Sequence, residues 1–91
     1  MVRHIEMMNV TDTDMKEYVK NSFKELKNLI KGIVAMNVVV DTLNSENQLL
    51  VDSLFQSEEH YEEYINHPER KKFENELKDI VKDNKSIDYI E

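Results

Sequence analysis

Ninety-one residues suffice for one small domain, and a chain of this length buries roughly 60–65% of the surface that its unfolded form exposes. It contains no cysteine, which excludes disulfides and thiolate metal sites, and 19 acidic against 12 basic side chains give a net charge of −7. That charge would repel nucleic acids and anionic membranes, and association of copies is the remaining common way to stabilise so small a core. The sequence therefore predicts a single domain over residues 1–91, with neither a nucleic-acid nor a membrane partner.

The apolar segments are short. The longest uninterrupted run, Ile33 to Met36, is far below the ~20 residues that a membrane helix needs. Arg3, His4 and Glu6 interrupt the place where a signal peptide would carry its apolar core. These features predict a cytoplasmic protein.

A first strand is predicted over residues 2–10, whose side chains divide between two faces at a period of two. His4 and Glu6 share one face with Val2, Met8 and Val10. Two titratable side chains are thus expected side by side on a largely apolar face.

A helix is predicted to begin within residues 11–14, where short oxygen-bearing side chains can accept the free N–H groups of a first turn. Glu17 follows Asp14 by three residues, in the manner of a capping box. Gly32, the only glycine, stands where a left-handed helix terminus would lie. The apolar residues that recur at helical spacing are Met15, Tyr18, Val19, Phe23, Leu26, Leu29 and Ile30.

Two further strands are predicted at residues 33–41 and 48–56, joined into a hairpin by a turn cluster at residues 44–47. In the second strand Val34, Met36, Val38 and Val40 form one face, and Ile33, Ala35, Asn37 and Val39 form the other. In the third strand Leu50 and Leu54 lie opposite a face of Leu49, Val51 and Phe55. Both strands therefore carry apolar side chains on both faces.

A second helix is predicted from Ser57, a capping residue followed by two acids. Pro68 should interrupt it, because the residue before a proline is pushed out of the helical region, and the helix should restart near that proline. The inward side chains are expected to be Tyr61, Tyr64, Ile65, Phe73, Leu77, Ile80 and Val81. A short final strand is predicted at residues 86–90.

The element order β-α-β-β-α-β predicts an α+β, ferredoxin-like fold with a four-stranded antiparallel sheet and both helices on one face. The other face would leave a larger apolar patch in water than monomers usually carry. A second copy, packed sheet against sheet about a two-fold axis, would cover it. The alternative is a thicker monomer core in which strand side chains lie beneath loop tips.

Three segments also follow a known family pattern. They are the opening Val2-Arg3-His4-Ile5, the stretch Tyr64-Ile65-Asn66-His67-Pro68-Glu69-Arg70-Lys71-Lys72-Phe73, and the closing Ile87-Asp88-Tyr89. In this order they resemble the stress-responsive A/B barrel domain (Dabb) family over the whole chain. The resemblance implies a dimeric α+β barrel, in which two ferredoxin-like units close their sheets into one barrel.

The resemblance implies several possible activities. Most members have no assigned reaction, some plant relatives cyclise polyketides, and related dimeric barrels include cofactor-free monooxygenases of aromatic quinols. His4 and Tyr64 match the family's pocket positions and become the candidate catalytic residues. Arg70 stands where the family has a histidine, and Leu49 where cyclases have another, so the obvious general base of a cyclase is absent.

Each candidate residue has a structural alternative. His4 is either an acid or base in a pocket, or a hydrogen-bonded histidine of the core. Tyr64 is either a phenol that faces a pocket, or a side chain packed in the core. Arg70 would bind a carboxylate or phosphate if it faces inward, or point into solvent, and Phe73 is the apolar candidate for ligand contact. His67 is expected to hydrogen-bond free backbone groups at the helix break.

The spacing of histidines and acids predicts no metal site, and a single glycine predicts no phosphate loop, so no cofactor is expected. The preferred hypothesis is a homodimeric barrel that binds a small apolar or aromatic molecule between sheet and helices. The alternative is a non-catalytic oligomerisation or stress protein with a filled core, and a weaker one is a quinol monooxygenase-like or polyketide cyclase-like enzyme. The volume beside His4 and Tyr64 distinguishes the first two.

Overall fold

The computed structural model describes residues 1–44 and 47–91. One antiparallel sheet, in the order β2-β3-β1-β4, contains the strands β1 (Val2–Val10), β2 (Ile33–Val40), β3 (Gln48–Phe55) and β4 (Val81–Ile90). The helices are α1 (Lys16–Leu29), α2 (Glu58–Asn66) and α3 (Pro68–Leu77). The ferredoxin-like fold is confirmed, with the second helix divided in two. Across these two ranges, no helix combines the length and apolarity that a membrane crossing needs.

Strand β1 lies at the centre of the sheet, between β3 and β4, and supplies the floor of the core. Its helix-facing side chains, which are all buried, are Val2, His4, Glu6, Met8 and Val10. The pairing sets His4 opposite Ser53 of β3 and Glu6 opposite Val51. The core is therefore crossed near its centre by polar side chains.

Helix α1 begins after a single 3-10 turn, Thr13–Met15. The Asp12 side chain caps this turn by accepting from the Asp14 backbone N–H at 2.9 Å. The helix buries Val19, Phe23 and Leu26, whereas Tyr18 and Leu29, which recur at the same helical spacing, remain half exposed. Both border the groove between α1 and α3, to one side of the stripe that meets the sheet.

Strand β2 contains an irregularity that the alternation of its residues did not predict. Ile33 pairs with Phe55 and Ala35 with the adjacent Leu54, so one extra residue, Val34, is inserted. Ile33 therefore packs against the core, and Val34 is half exposed on the other side. The predicted faces of these two residues were wrong for that reason, while Met36, Val38 and Val40 share one face as predicted, and that face meets the core.

The break between α2 and α3 falls where the sequence predicts it. Pro68 opens α3, and His67 caps it by accepting from the Glu69 backbone N–H through Nδ1 at 3.1 Å. The predicted helical continuation through Val81 was wrong, because α3 ends at Leu77 and Val81 already pairs with Val10 of β1. The final strand is thus ten residues long and begins well before residue 86.

The sheet face opposite the helices, called here the open face, is rich in apolar side chains. Those that are at least 45% exposed are Met7, Val34, Val39, Ile87 and Tyr89, and those partly buried are Ile5, Leu50 and Leu54. The helices cover only the other side of the sheet. The structure therefore confirms that the strands are apolar on both faces. Of the turn cluster predicted at residues 44–47, Ser45 and Glu46 lie outside the described residues.

Candidate functional site

Four buried polar side chains from three elements meet beneath the helices. His4 and Glu6 come from β1, Tyr64 from α2 and Arg70 from α3, and none is more than 7% exposed. Arg70 donates through Nη1 to Tyr64 Oη at 2.7 Å and through Nη2 to Glu6 Oε1 at 3.0 Å. His4 Nε2 lies 3.4 Å from the same Glu6 oxygen. We call these four residues the buried cluster.

The buried cluster reaches the surface through the other nitrogen of His4. Its Nδ1 contacts a carboxylate oxygen of Asp88, the residue directly opposite on β4. The second Asp88 oxygen accepts from the Tyr61 hydroxyl at 2.9 Å. Because the Asp88 side chain is 38% exposed, the imidazole bridges a buried carboxylate and a solvated one.

The charges of the buried cluster stabilise one another. Burial by itself would lower the pKa of His4, but contacts with Glu6 and Asp88 outweigh it and raise that pKa above 6.5. Burial by itself would raise the pKa of Glu6, but His4 and Arg70 outweigh it and lower that pKa below 4.5. Burial raises the pKa of Tyr64, so its phenol stays protonated at neutral pH. The cluster therefore joins an ionised Glu6–Arg70 pair to a neutral phenol and to a histidine whose charged form is favoured.

Arg70 is enclosed by partners on every side. Its guanidinium carbon lies 4.6 Å from the centre of the Tyr64 ring, within range of a cation–π contact. Its Nε lies 2.8 Å from Glu74 Oε1, one helical turn further along α3, although without the alignment of a hydrogen bond. Of the two positions that the sequence allowed for Arg70, the structure places it inward.

A cavity of about 280 Å³ lies beside the buried cluster, between β1, α1, α3 and the beginning of β4. Its apolar lining comes from Met8, Phe23, Phe73, Leu77 and Val81. The rings of Phe23 and Phe73 meet edge to face, with centroids 4.6 Å apart. Its polar lining comes from Glu6, Arg70, Glu74, Lys78 and Asn84.

The structure brings all four sequence-predicted residues into one region but not to one surface. Arg70 and Phe73 line the cavity. His4 and Tyr64 lie behind that lining, where Tyr64 contacts Arg70 and His4 contacts Glu6. A molecule in the cavity would thus meet polar side chains of Glu6, Arg70, Glu74, Lys78 and Asn84 rather than those of His4 and Tyr64.

Some buried polar atoms of this region have no hydrogen-bond partner within the described parts of the chain. They are His4 Nε2, Glu6 Oε2, Ser53 Oγ and Arg70 Nε. A buried polar atom without a partner costs free energy, so such atoms cluster where a ligand or ordered water completes the site. Two of the four, Glu6 Oε2 and Arg70 Nε, belong to residues that line the cavity, and His4 Nε2 lies directly behind Glu6.

Sequence reasoning missed three members of the site. Glu6 was noticed only as a neighbour of His4, although a glutamate between apolar residues on one strand face is itself a signal of a buried charge. Asp88 and Tyr61 gave no comparable signal, because their contacts depend on the strand register and on the position of α2. Among residues 1–44 and 47–91, no group of three or more side chains is arranged to hold a metal ion.

The fold and the site together define a ferredoxin-like α+β domain with a small, partly polar cavity between its sheet and its helices. The model of the family described as Stress responsive A/B Barrel Domain, or Dabb, matches residues 2–91, and the chain belongs to this family. No curated protein sequence matches the chain significantly.

Solved structures share the fold. A protein of Arabidopsis thaliana is 24% identical, with a TM-score of 0.84 over 100% of this chain and 95% of that one. A dimeric ferredoxin-like protein of unknown function from Thermobifida fusca is 19% identical, with a TM-score of 0.81 over 99% of this chain and 90% of that one. SnoaB, a cofactor-independent oxygenase of Streptomyces nogalater, is 10% identical, with a TM-score of 0.84 over 99% of this chain and 91% of that one. At these identities the likeness is one of fold.

Proposed function

We propose that this protein is a homodimeric barrel that binds a small apolar or aromatic molecule in the cavity between β1, α1 and α3. The observation that carries the proposal is the cavity itself, whose volume of about 280 Å³ is close to the lower end of ligand sites. Its wall joins an aromatic pair, Phe23 and Phe73, to charged groups that are fixed by the buried cluster. This combination favours ligand binding over a filled core.

The dimer is proposed from the open face. An apolar sheet surface of this extent needs a cover, and the same surface on a second copy is self-complementary about a two-fold axis. The Thermobifida fusca protein, which shares the fold, is described as dimeric. The cavity lies on the opposite side of the sheet, so dimerisation would leave it free.

The ligand site is tested with naphthalene, which has aromatic surface but no polar group. Titration should shift the methyl NMR signal of Met8, which lines the cavity. Leu77→Phe should abolish the shift because a larger side chain fills the lining, whereas Leu29→Phe on the exposed side of α1 should preserve it. Absence of any shift in the wild-type protein would overturn the proposal. Mass spectrometry of molecules retained after gentle purification would identify the natural ligand.

A second candidate is chemistry on the bound molecule, with His4 and Tyr64 as the participating polar groups. The observation that favours it is the contact of His4 with Glu6, which gives a proton a path from the cavity wall towards Asp88. A quinol monooxygenase-like enzyme would consume oxygen with an aromatic quinol. That uptake should fall in both His4→Ala and Tyr64→Phe, and unchanged uptake in both would exclude these residues.

A further inference from the structure

The cavity wall carries two cations, Arg70 and Lys78, and the positive charge of Arg70 is already matched. Arg70 presents Nη1 to Tyr64, Nη2 to the carboxylate of Glu6, and Nε to the carboxylate of Glu74. An anionic ligand would have to displace one of these carboxylates while remaining close to both of them. Arg70 is therefore better suited to holding Glu6 in place than to binding an acid.

Glu6 has the opposite property, because it retains an unused acceptor. Arg70 engages only its Oε1, and Oε2 has no hydrogen-bond donor among residues 1–44 and 47–91. The residue is only 3% exposed, yet it lines the cavity. A hydrogen bond to an ionised carboxylate is stronger than one between neutral groups, so a donor brought by a ligand would be bound favourably.

The rest of the wall restricts what can carry that donor. The apolar side chains of the lining include Met8, Phe23, Phe73 and Leu77, which favour an apolar body, and the paired phenylalanines favour a ring. The lining carries two carboxylates, Glu6 and Glu74, and two cations, Arg70 and Lys78, so their formal charges cancel and the cavity offers no net charge to attract an ionic ligand. The donor should therefore be uncharged.

We infer that the ligand of this cavity is a neutral, ring-bearing apolar molecule with a hydroxyl or N–H group that donates a hydrogen bond to Glu6 Oε2. This rests on the proposed function and names the ligand class of the same site. Glu6 is the residue that determines specificity, Arg70 is the positioning residue that fixes it, and Phe23 and Phe73 contact the ring.

Three related probes test the inference by calorimetric titration of the wild-type protein near neutral pH. Naphthol carries a neutral donor, methoxynaphthalene has the same ring and oxygen but no donor, and naphthoate is an anion. Naphthol should bind at least about tenfold more tightly than either. Equal affinity of naphthol and methoxynaphthalene would overturn the inference, and so would preferred binding of naphthoate, which would make Arg70 the anchor.

A matched pair of variants locates the effect. In Glu6→Gln the amide oxygen can still accept a hydrogen bond from Arg70, while the amide NH₂ group replaces the free acceptor. Methoxynaphthalene should therefore bind this variant at least as tightly as naphthol does. Glu59→Gln, an exposed position on α2, should keep the wild-type preference. If Glu6→Gln retained the preference for naphthol, the inference would be wrong. If circular dichroism shows that this variant does not fold, the wild-type comparison decides alone.

The two levels of proposal fail differently. If naphthalene and all three probes leave the protein unchanged, the cavity is not a ligand site and the proposed function falls together with the inference. If the probes bind with no preference for the donor, the ligand site stands and only the inference about Glu6 falls.

Discussion

Glu6 of β1 and Arg70 of α3 lie 64 residues apart in sequence and form a buried ion pair, with Oε1 of the first 3.0 Å from Nη2 of the second. Both residues line the cavity, so the pair joins the helical layer to the sheet at the site itself. A buried pair adds little net stability compared with apolar residues, but removing one partner leaves a charge without compensation. The pair is therefore both a structural contact and a support for the site.

The ion pair predicts strong coupling between two substitutions. Arg70→Met should lower the free energy of unfolding by about 3–5 kcal/mol because Glu6 is left buried and unpaired. Combining it with Glu6→Gln should cost clearly less than the sum of the two single changes. Urea unfolding at one fixed protein concentration measures all three, with Lys24→Met, an exposed change on α1, expected within about 0.5 kcal/mol of wild type. Strict additivity would mean that the pair is not coupled.

The raised pKa of His4 predicts how stability depends on pH. A group whose pKa is higher in the folded state contributes stability that is fully present below the unfolded value of 6.5. This contribution is lost as the pH rises through the raised folded value. The free energy of unfolding should therefore decrease from mildly acidic to alkaline pH, and His4→Asn should flatten that decrease.

The matched control is His67→Asn, which keeps a side chain able to cap α3 and removes a histidine outside the buried cluster. It should preserve the wild-type pH dependence. If His4→Asn and His67→Asn changed the slope equally, the contacts of His4 with Glu6 and Asp88 would not be its cause.

Gly32 predicts a local constraint on the turn before β2. Its φ of +88° is strained for any other residue, and an added Cβ would collide with the ring of His60 on α2. Gly32→Ala should therefore lower the free energy of unfolding by more than about 1 kcal/mol. Gly32→Ala combined with His60→Ala should recover only part of the loss, because the contacts with the ring are removed while the close approach to the Cβ of residue 60 and the backbone strain stay. Thermal unfolding of these two variants and of His60→Ala alone measures this, and a neutral Gly32→Ala would refute it.

The sequence predicts most of the fold because the features that determine it are local. Alternation in β1 places His4 and Glu6 on the inner face, and Pro68 divides the second helix where it should. The bulge at Val34 was not predictable, since all residues near it are apolar and alternation cannot reveal an insertion. The early start of β4 was hidden because its first half, Lys82–Ser86, is polar and lies at the sheet edge.

The site was less predictable because it depends on contacts between distant residues. Arg70 follows Tyr64 closely enough in sequence for both side chains to face inward. Only the packing of α3 on β1 shows that Arg70 donates hydrogen bonds to both the Tyr64 hydroxyl and the Glu6 carboxylate. Asp88 meets His4 only through the register of β4 with β1. Sequence patterns predict which face of a strand or helix carries a side chain. The hydrogen-bond partner of each polar atom depends instead on the tertiary arrangement.

The open face predicts the response of the oligomer to charge. Ile87 lies on this face and is 67% exposed in the single chain, as expected for a side chain that a second copy covers. Ile87→Glu should shift sedimentation from a dimer towards a monomer at micromolar concentration, because an unpaired carboxylate in an apolar interface is costly. Leu29→Glu makes the same change at a 51% exposed position on α1 and should leave the dimer intact. A wild-type protein that sediments as a monomer, or a dimer unaffected by Ile87→Glu, would mean that another surface, or none, joins the copies.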